Sequence, residues 1–494
     1  MQMIMENNDR HIVAIDLGSS KISVTVAKVN GEDIQVIYYK ETPSTGVRYS
    51  SIFNDLHARK ALEKAVHDAE MELDIKITQA VVGMPKFPIR QESGNATFPD
   101  RGEDAEITEE DIADMKRFAQ SLYPIEDDSK EAIYGSVAQS FSDGENFQII
   151  EEDIIGMSSN TLEGNFKIFI GKKGNLNKID SVMNKAGVVP MRKYFTAEST
   201  ARAVLRESEM ESGVALIDFG GGCTSVSIYQ GKIMRHFASI PFGGKNITND
   251  IKSECQISER LAENIKLEFG ACMPEKLLSL SDKILDIRSS GSDSNKQLSV
   301  KYLSEIITAR VEEIMMAILY EIEQSGFADS LRSGIVVTGG AAQTANLANL
   351  IYDISGFKVR IGYPQKTFSC EGCDGLAETS AATAIGLIMS SINDPSINCA
   401  RMNESVAETE VEEIGVVGND QQPQGSLFKE DEIEKVTPEP APRQARKEKK
   451  MPGFITRCFG SMTTKFDNIF DALDEEKVQT VINDDEDEET EEKA

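Results

Sequence analysis

Two related α/β halves that face each other are what this sequence predicts, and three observations carry the prediction. HIVAIDLGSSKISVTVAKV, from His11 to Val29, and GVALIDFGGGCTSVSIYQ, from Gly213 to Gln230, repeat one pattern: a β-rich apolar run, Asp-x-Gly with small polar residues, then a second β-rich run. A third glycine turn, GIVVTGGAAQ from Gly334 to Gln343, again follows an apolar run. Apolar periodicity and glycine punctuation persist to about Asn393, which marks the end of the expected packed region.

Each repeat reads as a β-hairpin whose turn suits an anion. Gly and Ser let successive backbone N–H groups approach a phosphate with no Cβ in the way. Asp16 and Asp218 would repel that phosphate directly, so they make sense as ligands, through water, of a Mg²⁺ that neutralises it. Ser19, Ser20 and Thr224 add hydroxyl donors and Lys21 a point charge, with Gly18, Gly220, Gly221 and Gly222 shaping the turns. Gly339 and Gly340 would let an adenine ring pack on backbone. A lone Asp-Gly pair commonly makes only a tight hairpin; the duplication and the third turn favour a nucleotide. Neither a G-x-x-x-x-G-K-[ST] loop nor a G-x-G-x-x-G helix opening occurs, which argues against Walker-type and dinucleotide folds.

The chain has 494 residues with 52 Lys and Arg against 82 Asp and Glu, a formal charge of −30. That length implies several domains. So acidic a balance argues against a nucleic-acid partner, although a local basic patch can hide inside it. No run reaches the ~18 apolar residues a spanning helix needs, and Met1–Arg10 lacks the features of a signal peptide, so a soluble, unexported chain is expected. Seven scattered cysteines, of which Cys370 and Cys373 form a CxxC, fit ordinary reduced thiols better than a disulfide framework or a zinc site.

These motifs resemble those of the actin/Hsp70/sugar-kinase ATPase superfamily: AIDLGSSK looks like its first phosphate motif, LIDFGGGCT its second and VVTGGAAQ its adenosine motif. FTAESTARAVL (Phe195–Leu205) and ETSAATAIGLIM (Glu378–Met389) stand where its connecting helices occur. The resemblance covers most of 12–389 and implies an actin-like bilobed ATPase fold that binds ATP and Mg²⁺ between its lobes. By the same resemblance Glu198 matches a carboxylate that orients attacking water; the plainer reading is a polar helix-start residue. GGKNITNDIKSECQISERLAENIKLEFG (Gly243–Gly270) opens with paired glycines and continues into an amphipathic helix. The resemblance puts Gly243 and Gly244 by the phosphates and Glu263 and Lys266 at ribose and base, whereas spacing alone allows a surface ion pair.

Within the superfamily the chain resembles the bacterial cell division family FtsA. PSTGVRYSSIFND (Pro43–Asp55) matches its Gly-rich motif and AVVGMPKFPI (Ala80–Ile89) its next strand, before an insertion that suggests the small α/β subdomain FtsA carries in place of actin's second subdomain. In that insertion Thr108 and Asp111 form a capping-box-like helix start, and AIYGSVAQSFSDG (Ala132–Gly144) reads as strand plus turn. Lys245, where relatives carry an acidic residue, and Ala341, in place of a third glycine, depart from the family pattern. The expected layout is a first lobe from 10–85 and 166–202, the inserted subdomain from 86–165, a second lobe from 203–242 and 326–392, and a nucleotide-contacting and partner-binding subdomain from 243–325.

Residues 393–450, rich in Glu, Gln, Pro and Lys, read as a disordered tether. In 451–473 Phe454, Ile455, Phe459, Met462, Phe466, Ile469 and Phe470 recur at helical spacing, with Arg457 and Lys465 among them and a basic stretch before them. A basic amphipathic helix after a tether suits an anionic membrane surface better than a partner's groove. Unlike the family pattern, an acidic tail follows at 474–494, a candidate competitor for the basic stretch. The resemblance implies a protein that polymerises on the cytoplasmic face of the membrane, binds the C-terminal tail of FtsZ and contacts other division proteins at the division site. Rival readings are a pilus-assembly ATPase, a chaperone and a small-molecule kinase of the same superfamily; the first typically lacks the amphipathic helix, the second needs a peptide-binding domain, and the third needs an acceptor pocket.

Overall fold

The duplicated pattern folds as one sheet type used twice. In the computed structural model, which describes residues 10–31, 33–98, 105–287, 296–365, 367–370, 372–373 and 375–402, Arg10–Leu17, Lys21–Asn30 and Asp33–Pro43 form an antiparallel meander. Gln79–Gly83 and Val189–Tyr194 extend it in parallel on the other side. In the second lobe Val214–Phe219, Thr224–Gln230 and Ile233–Ile240 repeat the meander, and Ile335–Thr338 and Val359–Ile361 repeat the parallel pair. The register repeats too: Asp16 lies opposite Ser23 and Asp218 opposite Ser225, each separated from its turn by one paired residue. Val214–Phe219 is buried on both faces, as a near-continuous apolar run requires.

The lobes are joined by two crossing helices, Thr196–Val204 and Ala382–Ser391, where the sequence places them. Gly386 permits that crossing, since a Cβ on it would stand 2.0 Å from the Ser199 carbonyl oxygen.

The inserted subdomain is a three-stranded antiparallel sheet, Ile89–Phe98, Leu162–Lys172 and Glu131–Ser142 with Leu162–Lys172 central. Its helix Glu109–Leu122 starts with the anticipated capping box, Thr108 and Asp111 each bonding the other's backbone N–H. Ile112, Met115 and Ala119 turn inward onto Phe141 and Phe166. Because Leu162–Lys172 pairs out to Gly171 and Lys172, the subdomain runs past the expected boundary at 165. Phe169 from it stacks on Phe195 from the first lobe, and Phe237 from the second meets both edge-on, with ring centroids 4.8 to 6.0 Å apart.

Two more expectations are corrected. The single helix expected after Gly243 is two, Gly244–Cys255 and Glu259–Phe269. Gln256, at φ 50°, ends the first, and the Ser258 hydroxyl caps the second by accepting from Leu261 N–H. The expected tether start at 393 also falls later, because Ile397, Cys399 and Ala400 are buried and Ala400–Met402 pairs with Ile75–Ile77. The rest of that tether, the segment 451–473 with its membrane-facing candidates, and the tail 474–494 lie outside the described residues.

Candidate functional site

The two Asp-x-Gly turns meet across the cleft at van der Waals range. A Cβ on Gly221 would stand 2.0 Å from Ser20 Oγ, and one on Gly222 2.5 Å from Ser19 Oγ. Glycine is therefore needed in the second turn because the first turn's serines fill the space. The third turn closes the other side: Gly339 is at φ +92°, and a Cβ there would stand 2.6 Å from both Asp218 Oδ1 and the Phe219 carbonyl oxygen.

These turns line a cavity of about 810 Å³. Of the residues predicted for a nucleotide, it brings together Asp16, Gly18, Ser19, Ser20, Lys21, Asp218, Gly220, Gly221, Gly222, Gly244, Glu263, Lys266, Gly339 and Gly340. The first turn and Asp218 thus share a wall with the subdomain that begins at Gly243, although the residues are widely separated in sequence.

Three predicted residues stand elsewhere. Thr224 is fully buried and donates its hydroxyl to the Phe242 carbonyl at 2.8 Å, so it braces the hairpin rather than facing the cavity. Gly243 lies behind the second turn, where a Cβ would meet the Gly220 carbonyl oxygen at 2.5 Å. Glu198 does not line the cavity, because the crossing helix commits its Ser199 and Thr200 side to the partner helix, through Ser199–Ser390 and Thr200–Thr383 contacts of 3.1 and 3.0 Å. The Glu198 side chain remains exposed by area, but crowding protein raises its carboxyl to about 7 against the opposing charges of Arg202 and Lys116.

Two predicted charges are already engaged. Lys21 pairs with Glu41, which also accepts from the Tyr39 hydroxyl and, at 2.8 Å, from Ser380. Burial disfavours the Glu41 charge, yet Lys21 and these donors hold its carboxyl below the usual range. Lys266 donates to Glu263 and Thr248 Oγ1, both at 2.8 Å, and to the Gly244 carbonyl at 3.2 Å. The pair thus ties the two helices across the cavity wall, which is more than a surface ion pair.

Sequence reasoning missed Lys86. It follows the strand Gln79–Gly83, and its ammonium bonds Asp218. Burial works against its charge, but Asp218 and then Asp16 raise it above the ordinary lysine value. Burial raises the Asp16 carboxyl, Lys86 opposes this, and Asp218 adds to it. Cys223 also lines the cavity, with burial pushing its thiol to about 12, so it is no thiolate at neutral pH.

The donor set fits a hard divalent cation. Asp16 and Asp218 bring carboxylate oxygens to one cavity, and burial beside the Asp218 charge gives Asp16 reason to accept a cation. Among the described residues no group of three or more His, Cys, Asp or Glu could hold a metal, so an ion here would rely on ligand oxygens as well.

The sequence model described as Cell division protein FtsA matches residues 215–386. Over 388 residues the chain is 30% identical to Cell division protein FtsA of Neisseria meningitidis serogroup B, covering 78% of this chain and 91% of that relative. It is 26% identical over 411 residues to Cell division protein FtsA of Bacillus subtilis, covering 83% and 90%. Among solved structures, a PilM-PilN type IV pilus biogenesis complex superposes with a TM-score of 0.53 at 12% identity, covering 77% of this chain and 98% of that one. That likeness concerns the fold.

Proposed function

Because the chain belongs to the FtsA family of cell division proteins, we propose that it binds ATP in the interlobe cavity, polymerises at the cytoplasmic membrane and anchors the FtsZ ring there, helping recruit later division proteins. The observation that carries the nucleotide part is the meeting of two register-equivalent Asp-x-Gly turns and a third glycine turn around one cavity.

The residues divide the work. Backbone N–H groups of the two turns cradle the phosphates, and the glycines let them come close. Mg²⁺ held through water by Asp16 and Asp218 would supply charge neutralisation for those phosphates. Gly339 and Gly340 offer a flat backbone face to the base, while the Glu263–Lys266 pair fixes the opposite wall beside Gly244. With Glu198 turned away, the cavity holds no assigned base for water, which fits ATP used to set conformation with at most slow hydrolysis. Filament contacts, the FtsZ tail and division partners are assigned to the inserted subdomain and 243–325 on family resemblance. Membrane attachment is assigned to 451–473, through Phe454, Ile455, Phe459, Met462, Phe466, Ile469 and Phe470, with Arg457 and Lys465 facing anionic headgroups.

Co-sedimentation with anionic vesicles tests the whole reading, comparing the full chain with one ending at Glu439, each with and without Mg-ATP. The full chain is expected to pellet, the truncation to stay in solution, and nucleotide to change the yield. If neither form pellets under any condition, membrane anchoring is wrong and a search for a phosphoryl acceptor becomes the next step.

A further inference from the structure

By spacing alone Cys370 and Cys373 are ordinary thiols, but the fold brings both to one residue. Ser369–Cys370 is a short strand that pairs in parallel with Asp33–Pro43, with Cys370 in register with Val36. The Cys373 thiol donates to the Val36 carbonyl at 3.7 Å. Gly372, the third residue of 370–373, is at φ +74°, the sign that the third position of a type II turn needs. The ends of such a turn lie within about 7 Å, a span that a disulfide can bridge. Cys370 is exposed and Cys373 half-buried, whereas burial pushes the thiols of Cys223, Cys272 and Cys399 up to about 12, 12 and 11 and keeps them inert.

The same segment is cavity wall: Gly372, Gly375 and Glu378 line the cavity. A Cβ on Gly375 would stand 3.6 Å from Tyr39 Cε1, and the Gly375 carbonyl accepts from Glu378 N–H at 3.1 Å. Glu378 in turn accepts from the Gln343 amide at 3.2 Å, beside the third glycine turn. Joining the two sulfurs would draw Cys373 Sγ off the Val36 carbonyl and displace Gly372, which lies between the cysteines on the wall. We propose that Cys370 and Cys373 are a reversible dithiol–disulfide couple whose oxidation weakens nucleotide binding in the adjoining cavity. The oxidant is a low-molecular-weight disulfide. The Cys370 thiolate attacks it and expels one thiol, then the Cys373 thiolate attacks the mixed disulfide and expels the second. Two protein thiols thereby give up two electrons and two protons, and the small disulfide becomes two thiols. The effect on binding rests on the nucleotide reading above. Two thiols that merely pack at a sheet edge are the competing explanation.

To separate the two, the full chain is equilibrated over a range of oxidised to reduced glutathione ratios, mapped for the 370–373 disulfide by peptide mass, and titrated calorimetrically with Mg-ATP in each state. The disulfide is expected to form, and the oxidised chain to bind Mg-ATP about fivefold or more weakly than the reduced chain, a coupling of ordinary size. By reciprocity, saturating Mg-ATP should raise the ratio needed for half-oxidation by the same factor. Cys370→Ser and Cys373→Ser should each bind alike in both buffers. No 370–373 disulfide at any ratio overturns the proposal. So does a smaller change in affinity, or one that persists in Cys370→Ser; this variant leaves the half-buried thiol in place and decides alone if Cys373→Ser does not fold. If the reduced chain binds no Mg-ATP, the nucleotide reading itself falls, and the effect on binding falls with it.

Discussion

Gly339 combines a left-handed backbone with a Cβ position occupied by Asp218 Oδ1 and a carbonyl oxygen. Gly339→Ala is accordingly expected to lower stability by about 1–3 kcal/mol and to weaken ATP binding, because relief of the clash must move the aspartate. Urea unfolding and ATP titration check this, and a variant matching wild type in both would remove Gly339 from the site. The sequence made this turn readable because glycine next to glycine after an apolar run has few other uses. Lys86 was not readable: it lies in a proline-flanked loop with no periodicity, and its partner is 132 positions away. Thr224 and Glu198 were misplaced for a common reason. A motif names residues near a ligand, but whether a side chain turns to the ligand or to its own scaffold depends on packing from distant segments, here Phe242 for Thr224 and the crossing helix for Glu198.

At the scale of elements, the strongest local signals were those in which a few neighbours set the conformation. The capping box at Thr108 is one, and Thr108→Ala should cost about 1 kcal/mol in unfolding experiments while leaving nucleotide affinity unchanged. Loss of ATP binding in that variant would instead tie the inserted helix to the cavity. The break at Gln256 was missed because a glutamine at positive φ carries no sequence signature, although Ser258 before Glu259 is a readable helix start. The joint between inserted subdomain and second lobe includes His236, whose Nδ1 lies 2.6 Å from Gln91 Nε2. Burial, then Lys167, lowers its pKa to about 4, while Glu321 stands 4.0 Å from its other nitrogen. The unfolded chain holds this proton more readily, so stability is present above pH ~6.5 and falls as pH drops towards 4. The loss is on the order of 3 kcal/mol. Urea midpoints measured from pH 7 to 4 should therefore fall more steeply for wild type than for His236→Gln; parallel curves would acquit this histidine.

For the whole molecule, a ligand bridging both turns should order both at once. Hydrogen exchange is expected to slow together at 18–21 and 220–223 as ATP is added, with stabilisation of about 2.7 kcal/mol at a hundredfold excess over Kd. Protection of one turn alone would mean that the cavity does not bind its ligand between the lobes. The bilobed plan was legible because duplication announces itself as a repeated pattern, and the described residues carry it down to equivalent registers. Serines of one turn occupy the space left by glycines of the other. The two halves consequently cannot drift apart freely in evolution: a side chain gained at 221 demands one lost at 20. Ser20→Gly should rescue Gly221→Ser, a compensation between the two copies of one repeated turn.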